Sequence, residues 1–163
     1  MKLTFKLPRG YHWIKKSDVR FEIISGNRTM DSYSLERFYE DSLRQDTFVS
    51  LRKVKGKPIG IIELTFHKRK VEGIDDNPDF YEYSLVVELL SVDKSYQGTG
   101  IGTDLMALAE NIAHSLNAYK ILLEAVEDKV NFYKKLGYYV KGPKYIDADW
   151  GTLVPMERII SSM

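Results

Sequence analysis

The sequence predicts a single α/β domain of the α+β type, with a mixed, mostly antiparallel central sheet of about six to seven strands flanked by about four helices. Three observations predict it. Short early segments are rich in β-branched and aromatic residues, which is typical of antiparallel strands. A strand, helix, strand unit follows over residues 83–126. Residues 1–163 contain no internal repeat or low-complexity linker, so we take the whole chain as one domain.

The first elements are a short strand and a helix. Residues 19–25 alternate apolar and polar side chains and end at Gly26-Asn27, which favours a strand followed by a turn. Apolar residues then recur at the spacing of a helix face, at Leu35, Phe38, Tyr39 and Leu43. Asp31 or Ser34 is placed to cap this helix.

A hairpin and a central strand come next. Residues 47–54 and 59–66 read as two strands separated by the turn Lys55-Gly56-Lys57-Pro58. The following loop ends near Phe80, and its basic and acidic runs are typical of a solvated connection. Residues 83–92 are nearly continuous in Leu and Val, which indicates a strand buried on both faces at the centre of the sheet.

The second half alternates helices and strands. A helix face recurs from Ile101 to near Asn117, and residues 119–126 form another apolar strand, so we expect parallel pairing and a right-handed crossover. A helix over residues 128–136 ends at Gly137, where positive φ is tolerated. Residues 138–140 and 152–159 read as the last pair of strands.

Composition limits the classes of function. The net charge is +1, with 24 Lys and Arg against 23 Asp and Glu, which indicates no global attraction to nucleic acid or to membranes. No run approaches the roughly 18 apolar residues of a membrane span. Residues 1–13 lack the apolar core of a signal peptide, so we expect a cytoplasmic protein. The chain has no cysteine, which excludes disulfides, thiolate zinc sites and a cysteine acyl-enzyme.

A glycine-rich turn, Gln97-Gly98-Thr99-Gly100-Ile101-Gly102, lies between the central strand and the following helix. Glycine lets the backbone approach a ligand, and the first amides of a helix lack internal partners. The helix dipole adds roughly half a positive charge there, so a pyrophosphate fits this turn. A dinucleotide fingerprint would need glycine where Thr103 stands, and a P-loop would need a Gly-Lys-Ser/Thr that is absent. A purely architectural turn is the alternative for the glycines alone.

Two segments carry a family resemblance. The first, residues 90–102, reads LSVDKSYQGTGIG, and the second, residues 131–138, reads NFYKKLGY. The first looks like the coenzyme-binding signature of the GNAT superfamily of acyl-CoA-dependent N-acetyltransferases, and the second is similar to that family's aromatic-Tyr pair before a Leu-Gly-aromatic ending. The resemblance spans roughly residues 83–140. It implies the GNAT fold, acetyl-CoA as cosubstrate without a metal, and acetyl transfer to a primary amine by direct attack, with no acyl-enzyme.

The resemblance also implies the residues that bind the coenzyme. They belong to the strand end, the glycine turn and the second signature: Leu90, Ser91, Val92, Gln97, Gly98, Thr99, Gly100, Ile101, Gly102, Thr103 and Asn131. One position departs from the family pattern. Many members carry an Asn seven residues before the tyrosine, where this chain has Val126, and Asn131 lies too close to Tyr133 to be its plain equivalent.

Tyr133 is the candidate acid. The matching tyrosine of the family lies near the coenzyme sulfur, which implies that Tyr133 protonates the departing thiolate. Packing in the core is its alternative role.

Glu88 is the candidate base, because it is the sole charge in an apolar strand and burial there would raise its pKa toward a useful range. Strand alternation places it on the face of Val86, Leu90 and Val92, provided that no bulge intervenes. Glu124 on the next strand, a water-mediated base, and a paired structural carboxylate are the alternatives.

The resemblance also indicates the oxyanion site and the acceptor site. A backbone amide near Leu90 or Ser91 would stabilise the tetrahedral oxyanion. The acceptor would lie in a cleft lined by the early helices, the loop of residues 67–80 and residues 145–150. Asp147 and Asp149 there would either hold an ammonium ion or serve only as turn residues.

Two other functions remain open. One is a tRNA-acetylating toxin of the same superfamily, for which Arg52, Lys53, Lys55 and Lys57 would supply a basic cluster. The other is a non-catalytic acyl-CoA-binding regulatory module. The expected partners are acetyl-CoA and an unidentified amine, with nucleic acid only under the toxin reading; a homodimer is compatible with the sequence.

Overall fold

The computed structural model describes residues 6–21 and 35–160. Eight strands lie in these residues: β1 (Tyr11–Trp13), β2 (Thr47–Val54), β3 (Lys57–Val71), β4 (Phe80–Val92), β5 (Lys120–Val126), β6 (Tyr139–Val140), β7 (Tyr145–Asp147) and β8 (Gly151–Ile159). The same residues contain three α-helices: α1 (Leu35–Ser42), α2 (Ile101–Ser115) and α3 (Val130–Lys135). Single turns of 3-10 helix occupy Lys16–Arg20, Lys94–Tyr96 and Glu127–Lys129.

The strands form one open sheet in the order β1-β2-β3-β4-β5-β8-β6, and β7 pairs with β8. Only β4 and β5 are parallel within the described residues, so the expected mixed, mostly antiparallel sheet with β4 at its centre is confirmed. The counts differ slightly from expectation, with eight strands and three α-helices described. β1 and β7 were not predicted from the sequence, because three residues are too few to establish a period of two.

The strand expected over residues 19–25 is not present in the part of that range that the structure describes. Val19 and Arg20 lie in a 3-10 helix, where the Asp18 carboxylate accepts a hydrogen bond from the Lys15 amide at 2.8 Å and pairs with Lys53 Nζ at 2.6 Å. These contacts stabilise a local turn in place of strand pairing. Residues 22–25 and the two candidate caps, Asp31 and Ser34, lie outside the described residues.

The β3–β4 hairpin is longer than expected, and the loop expected over residues 67–80 is reduced to residues 72–79. Charged side chains of β3 hide the strand pattern, but they have partners on β4. Arg69 pairs with Glu82 at 2.7 Å, and Lys70 pairs with Asp79, just before β4, at 3.2 Å. Cross-strand pairs of opposite charge stabilise such a ladder, so a polar sequence remains a strand.

The two faces of the sheet carry different helices. The main core lies under α2 and α3 and contains buried Leu85, Leu105 and Ile121. A smaller cluster lies on the α1 side and contains buried Phe38, Ile61 and Leu89. Helix α1 begins at Leu35 as its apolar spacing predicts, but it ends at Ser42, which leaves Leu43 outside the helix with 67% of its surface exposed.

β4 and β5 separate halfway along their length. Their parallel pairing joins Ser84–Val87 to residues 120–123 and then stops, although both strands continue. The register of β3 against β4 also shifts at this point: Leu64 lies opposite Val87 and Glu63 opposite Leu89, so Glu88 is an inserted bulge residue. The sheet therefore opens at its centre, next to Glu88.

The bulge corrects the face expected for Glu88. Before it, Leu85 and Val87 belong to the core under α2, whereas beyond it Leu90 and Val92 pack against that same core. Alternation is therefore broken between Val87 and Leu90, and Glu88 does not share a face with Leu90 and Val92 by simple parity.

Candidate functional site

A cavity of about 1450 Å³ runs through the opening between β4 and β5. Its wall includes Gly100 at the start of α2, Tyr133 on α3 and Phe38 on α1. Because α2 and α1 lie on opposite faces of the sheet, the cavity connects the two faces. A volume of this size accommodates two ligands side by side, since single small-molecule sites span roughly 300–1,000 Å³.

The glycine turn forms one end of the cavity. Gly98 and Gly100 have φ of +80° and +89°, and a Cβ built on either meets no heavy atom within 4 Å. Backbone conformation therefore requires glycine here. The first hydrogen bond inside α2 runs from the Asp104 amide to the Gly100 carbonyl at 3.0 Å, so the amides of the three residues between them precede the helical ladder. This end is a donor-rich, electropositive site for an anion.

Of the eleven residues expected to bind a coenzyme, nine line the cavity, and Thr99 and Asn131 do not. The Thr99 hydroxyl donates to the Tyr96 carbonyl within the turn. Asn131 is exposed on α3. Gln97 stabilises the turn, because its side-chain amide donates to the Val92 carbonyl at 3.0 Å. Val126, in place of the family's usual Asn, lines the cavity with an apolar side chain.

Tyr133 lies on the cavity wall and also packs against the core under α2 and α3. Its ring contacts Phe132 and Tyr138 edge to face, with centroids 5.0 and 6.1 Å away. Burial raises the pKa of Tyr133 to about 12, so the phenol keeps its proton throughout the neutral range. The two readings of Tyr133, core packing and a site role, therefore describe the same side chain.

The structure corrects the burial expected for Glu88, whose side chain is exposed on the cavity wall. The bulge moves it out of the regular ladder, and the separated strands leave the space beside it open. Glu124, the competing carboxylate, is also exposed on the wall. Its carboxylate accepts a hydrogen bond from the Tyr145 hydroxyl, which raises the pKa of Tyr145 to about 12. Glu124 is thus already engaged.

Glu63 is a buried carboxylate of the cavity that was not predicted from the sequence. Glu63 lies on β3 opposite Leu89, with 7% of its surface exposed. Burial, followed by the charge of Asp41, a hydrogen bond between the Glu63 and Asp41 side chains, and the charge of Glu88, raises the pKa of Glu63 to about 7. The signal was present in the sequence, because Glu63 is the only charge in residues 59–66, just as Glu88 is in its own strand.

Of the other residues expected at the acceptor site, some line the cavity and others do not. Phe38 and Asp41 of α1, Asp147 and Trp150 line the cavity, as expected, whereas Asp149 does not. Asp147 also acts as a turn residue, since its carboxylate accepts from the amides of residues 149 and 150 at 2.8 and 3.0 Å. The loop was expected over residues 67–80 and is observed over residues 72–79, none of which lines the cavity. His67, which belongs to β3, is the one residue of the expected range on the cavity wall.

The described residues contain no group of three His, Cys, Asp or Glu side chains arranged to hold a metal ion. No helix in residues 6–21 or 35–160 is long and apolar enough to cross a membrane.

Residues 20–160 match the family model described as Acetyltransferase (GNAT) domain, which covers most of the chain. This chain belongs to the GNAT acetyltransferase family. The two sequence signatures predicted this family, and the prediction is confirmed.

A curated relative of this chain is also named an N-acetyltransferase. A glucosamine 6-phosphate N-acetyltransferase of Trypanosoma brucei brucei is 38% identical over 52 residues, a match that covers 32% of this chain and 35% of that protein. The chain thus matches about a third of the length of this curated relative.

Two solved structures share the fold. A bacterial toxin superposes with a TM-score of 0.67 at 20% identity, covering 92% of this chain and 90% of its own. An aminoglycoside 6'-N-acetyltransferase complexed with coenzyme A gives a TM-score of 0.57 at 17% identity, covering 82% and 84%.

Replacing Glu63 tests the burial of its carboxyl. The folded pKa of about 7 exceeds the ordinary 4.5, so between these pH values the folded chain retains a proton that the unfolded chain releases. We expect the free energy of unfolding to fall as pH rises from about 4.5 to 7, by on the order of 2 kcal/mol. Urea unfolding at pH 4.5 and 8 should show this fall in the wild type and its loss in Glu63→Gln.

Glu40→Gln is the matched control, because Glu40 is exposed on α1 and lies outside the cavity wall. It should keep the pH dependence of the wild type. Equal pH dependence in Glu63→Gln and the wild type would contradict the buried carboxyl.

Proposed function

We propose that this chain transfers an acetyl group from acetyl-CoA to a primary amine by direct attack within a ternary complex. One observation carries the proposal: a single cavity joins the amide-rich turn at the start of α2 to a carboxylate-lined pocket on the α1 side, through the opening of the sheet. An anionic cosubstrate suits the first end and a cationic acceptor suits the second. The coenzyme A bound by the aminoglycoside acetyltransferase of the same fold supports this cosubstrate.

The turn would hold the pyrophosphate of the coenzyme. The amides of Ile101, Gly102 and Thr103 supply donors, and Gly98 and Gly100 leave the space above them open. The pantetheine arm would then follow the free edge of β4 past Leu90, Ser91 and Val92, which all line the cavity. Thr99 would contribute through the shape of the turn, and Asn131 from the exposed side of α3.

The chemistry would occur where β4 separates from β5. An uncharged amine attacks the thioester carbonyl, and the developing oxyanion accepts a hydrogen bond from a backbone amide near Leu90 or Ser91. Glu88 would accept the proton of the amine, directly or through a water molecule. Its exposed position beside the bulge favours it over Glu124, whose carboxylate already binds Tyr145.

Tyr133 would stabilise the departing thiolate. A thiol has a pKa of about 8.5, so full proton transfer from a phenol with a pKa of about 12 costs about 5 kcal/mol at the start of the step. Donation of a hydrogen bond, with the proton following as negative charge builds on sulfur, avoids most of that cost. Tyr133 would therefore act as acid late in thiolate departure.

No structural observation favours either of the other two candidate functions, the tRNA-acetylating toxin or the regulatory module. The basic cluster of the tRNA reading is reduced, since Lys53 pairs with Asp18 at 2.6 Å and Arg52 lies over the Tyr11 ring at 5.2 Å. The bacterial toxin shares the fold alone. A regulatory module would need the cavity without turnover, and Tyr133 on its wall favours catalysis. The cytoplasmic location and the homodimer stay predictions.

Gly100→Trp should abolish coenzyme binding. A side chain at residue 100 would project into the open space of the turn, where the coenzyme is proposed to bind. The φ of residue 100 is +89°, which also disfavours any residue other than glycine. Calorimetric titration with acetyl-CoA should show binding to the wild type and none to this variant. Gly56→Trp is the matched control, because Gly56 also has positive φ (+76°) and open space but lies in the β2–β3 turn, outside the cavity wall. Absence of binding to the wild type would overturn the proposed function.

Tyr133→Phe should lower kcat by roughly 10- to 100-fold while the Kd for acetyl-CoA stays unchanged, because the hydroxyl acts on the thiolate and not on the bound coenzyme. Steady-state kinetics and calorimetry measure the two quantities. Tyr138→Phe is the control, since its hydroxyl is buried without a hydrogen-bond partner and Tyr138 is not part of the cavity wall. An unchanged kcat in Tyr133→Phe would leave this residue with core packing alone.

Glu88→Gln should lower kcat at pH 7 by about 100-fold and recover activity above about pH 10, where the free amine loses its proton to solvent. The pH profile of kcat is the measurement. Glu124→Gln is the comparator, and loss of rate in that variant instead would assign the base to Glu124. A raised KM with unchanged kcat in Glu88→Gln would indicate amine binding in place of proton transfer.

A further inference from the structure

The α1-facing side of β3 and β4 carries three buried polar atoms without a hydrogen-bond partner: Glu63 Oε2, Thr65 Oγ1 and Ser91 Oγ. All three residues line the cavity, and their exposed fractions are 7%, 7% and 2%. Glu63 and Thr65 are two residues apart on one strand, so their side chains share a face about 6.7 Å apart along β3. Buried polar groups are almost always paired in folded proteins. These three atoms therefore indicate a place where a ligand supplies the partners.

The charges beside Glu63 identify the kind of ligand. Asp41 on α1 raises the pKa of Glu63 by its negative charge and by a hydrogen bond between the two side chains, and Glu88 on β4 raises it by its charge, so both carboxylates lie near Glu63. The cavity wall as a whole carries seven Asp and Glu residues against four Lys and Arg residues. Arg44, the cation that acts on Glu63, is a weak counter-ion, because it is largely exposed and contacts Asp41 only at 3.7 Å. A ligand with positive charge would relieve this repulsion.

Glu63 Oε2 and the hydroxyl oxygens of Thr65 and Ser91 can each accept a hydrogen bond from an ammonium group. A metal ion suits the site less well, because no three potential ligands in the described residues are arranged for one. The carboxylates also lie across the sheet from the amide-rich turn of α2, so a cation there would not compete with an anionic cosubstrate.

We propose that the acceptor is a dication of the diamine or polyamine class, whose distal ammonium binds between Glu63 and Asp41 while its other amine reaches the acetyl group beside Glu88. This inference rests on the proposed acetyl transfer and names the substrate class of the same cavity. Glu63 and Asp41 are specificity residues in this arrangement, and they do not touch the reacting atoms. Thr65 and Ser91 supply further oxygen acceptors on the cavity wall, on either side of Glu63 along the strands.

A binding titration tests the ammonium site without turnover. The probes are 1,3-diaminopropane, 1,4-diaminobutane and 1,5-diaminopentane, each compared with the amino alcohol that has a hydroxyl in place of the second ammonium. We expect at least one diamine to bind the wild-type protein about tenfold more tightly than its amino alcohol, because only the diamine makes the charge-assisted contact. Glu63→Gln should abolish that ratio, and Glu40→Gln on the exposed face of α1 should keep it. Equal Kd values for every matched pair would overturn the proposal.

Proton release supplies a readout that a merely structural Glu63 would not change. At pH 7 the Glu63 carboxyl is partly protonated, and an adjacent ammonium favours its ionised form. Titrations of the diamine in buffers of different ionisation enthalpy should therefore show proton release from the wild type and none from Glu63→Gln. Equal proton release in both proteins would place the ammonium elsewhere and overturn the assignment to Glu63.

Kinetics separates this inference from the proposed function. Acetyl-CoA consumption with diamines and amino alcohols alike, at equal kcat/KM, would keep the acetyltransferase and overturn the dication site. Diamine binding that depends on Glu63, without consumption of acetyl-CoA by any amine, would keep the ammonium site and overturn the proposed reaction. A diamine preference in kcat/KM that Glu63→Gln removes and Glu40→Gln keeps would support both.

Discussion

The separation of β4 from β5 is the constraint on which the rest of the site depends. A parallel pair that continued past Val87 would close the sheet and leave no passage between its faces. The inserted residue Glu88 breaks the alternation of β4, and the strand then runs on beside β3 alone. Its main-chain edge toward β5 is left without a ladder partner beyond Val87, which is the kind of edge that a bound ligand satisfies.

The opening joins two environments that would otherwise be on opposite sides of the molecule. The start of α2 offers backbone amides and the positive end of a helix dipole. The α1 side offers carboxylates, of which Glu63 is buried and raised in pKa to about 7. The two ends of the cavity are therefore suited to an anion and to a cation respectively, and they connect where the strands separate. Charge separation within the cavity suits a reaction between a phosphate-bearing donor and an amine.

The contrast between Glu63 and Glu88 shows what a single charged residue in an apolar run can and cannot predict. Each is the sole charge in an apolar run, so the argument made for Glu88, burial of a carboxyl among apolar neighbours, applies equally to Glu63. The structure divides the two roles. Glu88 is exposed because a bulge removes it from the ladder, whereas Glu63 stays in register opposite Leu89 and is buried. A bulge is a tertiary adjustment of one residue, and alternation along a strand does not reveal it.

The sequence by itself determined the fold class, the central position of β4, the glycine turn before α2 and the family, because these depend on local periodicity and on two short motifs. It also indicated Tyr133 and most of the cavity-lining residues around the turn. Only the tertiary structure decided the opening between β4 and β5, the exposure of Glu88, and the meeting of Glu63 with Asp41 across β3 and α1. These features arise from contacts between residues far apart in the chain, whose distances and burial no local pattern encodes.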